Sequence, residues 1–175
     1  MRGDRSKRRK CKRSPLRIER HFLASRRPTS IRRVWADTLF RAEQQHVLRL
    51  LLWCGISIIA ATAIAVTLTI RRVSSPLLRQ FALQMGAWGV VFGAIAAIRW
   101  STLSLRDLAG AARLERMVWL NVGLDAGYAA AGVMLAASAW LLARRLGPVG
   151  AGIGIVVQAM ALLVIDLQLA AIVSR

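Results

Sequence analysis

Four long apolar runs, separated by short polar breaks, organise the chain from residue 50 onward. The first is Leu50–Ile70, closed by Arg71 and Arg72. The second covers about 78–98, with Arg79 near its start and Arg99 just beyond its end. The third covers about 117–143 and is closed by Arg144 and Arg145. The fourth covers about 149–173, with Arg175 after it. An α-helix needs about 20 residues to cross a hydrocarbon core about 30 Å thick. The first, third and fourth runs reach that length; the second is marginal, with 18 apolar-run residues over Phe81–Ile98, and Leu77 and Leu78 can extend it while Arg79 snorkels to the interface. The pattern predicts an all-α fold, a polytopic membrane protein with a four-transmembrane-helix bundle over residues 47–175. A basic N-terminal cytoplasmic segment, residues 1–46, precedes it.

The breaks carry turn chemistry. Ser74–Pro76 and Leu146–Pro148 predict tight hairpins between helices one and two and between three and four. The central break, residues 100–116, is longer. Ser104 with Asp107 resembles a capping box, and Leu108, Ala111, Ala112 and Leu114 follow at roughly helical spacing, which predicts a short surface helix. Ahead of the first run, Trp35, Leu39, Phe40 and Val47 also fall near helical spacing. An interfacial amphipathic helix from about residue 35 and the first turns of the first span are equally good readings.

Charge sharpens this picture. The chain has 175 residues, 56% of them hydrophobic, yet 26 Lys and Arg stand against 8 Asp and Glu. Sixteen of the basic residues lie in the first 49, and the rest sit almost wholly in the breaks. A bilayer imposes that segregation, because a charge in hydrocarbon costs at least a few kcal/mol. Four spans put both termini on one side, which receives 21 basic residues against 5 on the other. The positive-inside rule then predicts cytoplasmic termini, in a bacterial inner membrane. The leader reads as largely disordered by its charge. Its expected partner, besides the lipid bilayer itself, is anionic lipid headgroups, at about 1 kcal/mol per basic residue near the surface. Nucleic acid is the more remote polyanion.

Catalytic chemistry is poorly supplied. The sequence holds neither HExxH nor GxSxG, and Cys11 and Cys54 form no CxxC. His21 falls in the leader and His46 reads as juxtamembrane, so no His is available inside a span. No catalytic, metal or cofactor-binding residues are expected, and an enzyme is not the favoured class.

The polar residues inside the runs are the remaining candidates, since buried ionisable groups in a membrane are costly and mark function by default. Two acids qualify, Asp125 and Asp166. In helix three, Asn121, Asp125, Tyr128 and Gly132 share one stripe, with Gly123, Gly127 and Ala131 on another, roughly opposite. Small residues four apart let a neighbouring backbone approach closely, so helix three should pack on two faces and sit centrally. In helix four, Gly150, Gly154, Gln158, Leu162 and Asp166 lie on one ridge. In helix two, Gln84, Trp88 and Phe92 share a ridge, and Gly89, Gly93 and Ala97 form a small face. Depth counted at 1.5 Å per residue brings Asp125, Asp166 and Ser57 to a similar level. The expected intramembrane polar cluster is Asn121, Asp125, Tyr128, Gln158 and Asp166, in which two close carboxylates can share a proton. The expected helix-packing glycines are Gly89, Gly93, Gly123, Gly127, Gly150 and Gly154. A structural or accessory membrane protein of unknown activity is the first functional reading. The alternative is a small proton- or cation-coupled transporter using the intramembrane Asp residues. Either is compatible with a homo-oligomer.

Three stretches resemble a family of small, uncharacterised four-span bacterial membrane proteins: QMGAWGVV at Gln84–Val91, LNVGLDAGY at Leu120–Tyr128 and GAGIGIVVQAMALLVIDL at Gly150–Leu167. LNxGLDxGY is the most specific of them. The family pattern has an Asn about where Phe92 stands, so a polar role for helix two does not carry over. The resemblance implies a fold and a membrane address, with no activity attached.

Overall fold

The computed structural model describes the backbone of residues 27–174 and the side chains of residues 36–174 other than Leu108 and Ala143. The chain divides into two units, Met1–Trp35 and Ala36–Arg175. The expectation of a disordered leader falls, for residues 1–26, outside the described residues. Four helices follow: α1 (Arg27–Ile70), α2 (Pro76–Ser101), α3 (Leu108–Ala143) and α4 (Leu146–Val173). No strand occurs among the described residues. The protein is an all-α bundle in which each helix is long and apolar enough to cross a membrane, over Ala36–Ile70, Pro76–Ser101, Ala109–Leu142 and Leu146–Val173.

Two boundaries differ from those the apolar runs predict. Helix α1 runs without a break through residues 36–49, so the residues after Trp35 are continuous with the first apolar run and form no separate helix. Leu39, Glu43, His46, Leu50, Cys54, Ser57 and Ala61 are all buried. Their steps of three and four residues form one continuous stripe facing the bundle, and that stripe carries the helix past its polar start. Likewise, residues 108–116 are the first turns of α3. Asp107 is its N-cap, accepting from Gly110 N at 2.7 Å, and not the far member of a capping box begun by Ser104.

The hairpins are built locally. Ser75 caps α2 by accepting from Leu78 N, and Pro76 occupies the first helical position, where its missing N–H costs nothing. The second hairpin turns one step earlier than expected. Arg144 caps α3 in the left-handed region at φ 47°, Arg145 precedes α4, and Pro148 lies inside the first turn of α4.

The core is a column of three apolar clusters. Leu39 and Ala42 of α1 meet Ala111, Leu114 and Val118 of α3 and Leu169 and Ala170 of α4. Next, Val47 and Leu50 pack with Ala96 of α2 and Leu162 of α4. Farthest along, Ala61 packs with Ala82 and Met85 of α2. Helix α4 is the central element, in place of the third helix. Both α2 and α3 pack on it, and its ridge of Gly150, Gly154, Gln158, Leu162 and Asp166 is buried along its whole length.

Small residues set the closest approaches. A Cβ at Gly150 would fall 2.9 Å or less from the Leu77 backbone, and one at Gly154 would fall 3.0 Å from Gln84 Cβ. A Cβ at Gly89 would fall 3.0–3.3 Å from Ile58, Ser57 and Cys54 of α1, and one at Gly93 would make an ordinary contact with Cys54 at 3.5 Å. The expected Gly123 and Gly127 face does not take part. Nothing lies within 4 Å of a Cβ built at either, and both are exposed. The α3 glycine that packs is Gly132, whose added Cβ would lie 2.9 Å from Gly152 O.

Candidate functional site

The polar side chains collect at the level of the middle apolar cluster. The buried stripe of α1 delivers His46, α3 delivers Asn121 and Asp125, and α4 delivers Asp166. His46 Nε2 lies 3.3 Å from Asp166 Oδ1. The Asn121 side chain donates to the same Asp166 carboxylate, and the Arg99 charge at the end of α2 acts on both His46 and Asp166. Asp125 feels the charge of Asp166 across the α3–α4 packing. His46, Asp125 and Asp166 are all buried, at 3%, 6% and 6% relative exposure. All four helices thus contribute to one centre, and three of its members are titratable and shielded from solvent.

His46 is the residue that sequence reasoning missed. Counting depth from Leu50, the first apolar residue, left His46 outside the span. It also set Ser57 level with the acids. In the bundle His46 takes that level, and Ser57, eleven residues further, lies about 16 Å along the helix, against Gly89. The stripe running through Leu39, Glu43, His46, Leu50, Cys54 and Ser57 was the available signal.

The expected five-residue cluster divides in two. Asn121, Asp125 and Asp166 come together, with Asp166 as the member that meets His46. Gln158 and Tyr128 belong to the next layer. Gln158 Oε1 accepts from Trp53 Nε1 at 2.6 Å, and its Nε2 donates to the Met85 carbonyl at 3.2 Å, so its amide bridges α1, α2 and α4. Tyr128 faces Trp88, with ring centroids 6.2 Å apart, and Trp88 stacks on Phe92 at 5.3 Å.

A second ionic contact lies on the other side of His46. Arg106, in the segment joining α2 to α3, donates from Nε and Nη2 to the two carboxylate oxygens of Glu43 at 2.8 and 2.6 Å. These paired hydrogen bonds hold the Arg106 guanidinium above its ordinary pKa. Arg49 donates to Gln168 one turn from His46.

Most buried polar atoms in folded proteins find a partner. Here His46 Nδ1, Asp125 Oδ2 and Ser57 Oγ are buried with none. No group of three or more metal-ligating side chains occurs among the described residues. The arrangement suits proton chemistry: a histidine, two carboxylates and an amide within one shielded layer, one carboxylate oxygen left open.

Residues 49–167 match the model of a family described as "Family of unknown function (DUF6992)". No curated protein and no solved structure matches the chain.

Proposed function

We propose that this chain, which belongs to the DUF6992 family, is a multi-pass membrane protein whose functional centre binds and releases a proton at His46, Asp125 and Asp166. The observation that carries this reading is the open Asp125 Oδ2, buried within reach of the Asp166 charge, while Asp166 itself meets His46. A purely structural polar layer gains most when every member is satisfied, because an unpaired group in low dielectric is costly. A centre that exchanges a proton keeps an acceptor free. Arg99, Asn121 and the His46–Asp166 contact supply the surrounding charges and donors, one from each helix. The 16 basic residues of the first 49 tip the charge count toward cytoplasmic termini in a bacterial inner membrane, and the basic leader suits anionic headgroups on that side.

Infrared difference spectroscopy on the protein in lipid tests the reading. A carboxylic acid band should titrate with pH and disappear in Asp125→Asn or Asp166→Asn. Absence of any titrating buried acid band would overturn it.

The second reading is a structural role, and one observation favours it. His46–Asp166, Trp53–Gln158 and Glu43–Arg106 each join residues far apart in the chain. A clamp of this kind predicts that Asp125→Asn retains cellular function, since Asn still hydrogen-bonds. Proton exchange predicts that the same variant folds and loses function.

A further inference from the structure

One layer beyond the acid centre, α2 and α3 flank α4 around a small slot of about 160 Å³. Trp88, Phe92 and Tyr128 form its walls, and Ile155, Gln158 and Leu162 form its floor. The Gln158 amide is already held by Trp53 and Met85, so the slot presents aromatic faces and carbon. An apolar cavity of about 150 Å³ accepts a single benzene-sized ring. Aromatic faces also attract cations, most strongly where water is excluded, and quaternary ammonium groups are their typical guests.

Two residues that line the slot lie about one helical turn from the acids. Tyr128 is three residues from Asp125 on α3, and Leu162 is four residues from Asp166 on α4. Both acids therefore lie one turn, about 5.4 Å, below the slot on two separate helices. Asp166 is engaged by His46 and Asn121 and lies in the field of Arg99. Asp125 is the acid whose second oxygen has no partner. The juxtaposition combines a half-open aromatic slot of one-ring size with a carboxyl group one turn away whose Oδ2 has no partner.

We infer that this slot is a binding site for a small lipophilic ammonium cation, its apolar part held against Trp88, Phe92 and Tyr128 and its charge directed to Asp125. The inference rests on the proton-centre reading and deepens it, by naming the class of ligand that the proton exchanges with. Protonated Asp125 would release its proton to water as the cation arrives, leaving carboxylate and ammonium paired. The charged and polar groups facing that exchange are His46 from α1, Arg99 from α2, Asn121 from α3 and Asp166 from α4.

Phenyltrimethylammonium and benzenesulfonate are probes of similar size and opposite charge. Each is titrated by equilibrium dialysis against the full chain in nanodiscs of zwitterionic lipid. The cation should bind saturably at one site per chain and the anion should not. Asp125→Asn should weaken the cation about tenfold, and Trp88→Leu should weaken it several-fold. Equal binding of both probes, no saturable binding of the cation, or unchanged affinity in Asp125→Asn would overturn the inference. If Asp125→Asn fails to fold, the probe pair and Trp88→Leu decide the matter. A titrating carboxylic acid band without cation binding would remove this inference and leave the proton centre standing; absence of the band would remove both.

Discussion

His46 Nε2 lies 3.3 Å from Asp166 Oδ1, which joins α1 to the central helix α4 through two buried polar side chains more than a hundred residues apart. A buried partner removed alone leaves the other with the cost of its own desolvation, about 1–3 kcal/mol or more for a charged group. His46→Leu should therefore lower the thermal stability of the purified protein by about that amount. The double variant His46→Leu with Asp166→Leu should recover part of the loss, because two apolar residues can replace a buried pair at little cost. Additive losses in this double-mutant cycle would show that the two side chains do not act together.

The α3–α4 crossing rests on two glycines that face each other. A Cβ at Gly152 would lie 2.6 Å from the Gly132 carbonyl oxygen and 2.7 Å from Ala136 N, both backbone atoms that cannot swing away. Gly152→Ala should destabilise the bundle by about 1–3 kcal/mol through overpacking. Gly127→Ala, on an open face, should be close to neutral in the monomer. Unfolding of both variants in detergent, followed by circular dichroism, measures the contrast.

The sequence showed the four spans because the bilayer leaves few alternatives: charges are driven into loops, and helices must reach a minimum length. It showed the α4 ridge for a similar reason, since Gly150, Gly154, Gln158, Leu162 and Asp166 stand out against an otherwise aliphatic helix. It misplaced His46 because apolar runs measure lipid-facing surface, whereas polar residues satisfied across helices can extend a buried face well beyond such a run. The glycines of α3 were misassigned for a different reason. Small-residue spacing marks where a backbone can approach and carries no information on which neighbour does so. Gly132 shares the stripe of Asn121, Asp125 and Tyr128, so the polar face and the close-packed face are one and the same, and Gly123 and Gly127 are left on the outside.

The paired hydrogen bonds from Arg106 to Glu43 fix the α2–α3 connection against α1. The Glu43 side chain is 5% exposed and that of Arg106 is 31% exposed, so solvent screens part of the ionic attraction. Arg106→Ala should cost about 1–2 kcal/mol, chiefly by leaving the buried carboxylate without its donors. Arg106→Lys should restore little, because a single ammonium cannot reproduce the two parallel bonds. Limited proteolysis between Thr102 and Asp107 should be faster in both variants than in the parent. Equal cleavage rates would show that the connection is held by its other contacts.

Membrane topology follows from the count of spans and the distribution of charge. With all four helices crossing, for which each is long and apolar enough, the Arg71–Ser75 and Arg144–Arg145 turns fall on one side, and the Thr102–Asp107 segment and the C-terminus on the other. The loop positives alone give almost no bias, since five lie on each side once the first 49 residues are set aside. Orientation is therefore expected to depend on the leader, whose Lys and Arg resist translocation. Reporter fusions after Arg72, Ser104, Arg145 and Arg175 should alternate outside, inside, outside, inside in the full chain. Removing residues 1–33 should preserve the alternation within each molecule and yield a mixture of the two orientations. A C-terminal reporter found outside in the full chain would reject the assignment. A single retained orientation after truncation would show that the positives left on that side, Arg41 and Arg49 with Arg99, Arg106, Arg113, Arg116 and Arg175, suffice to set it.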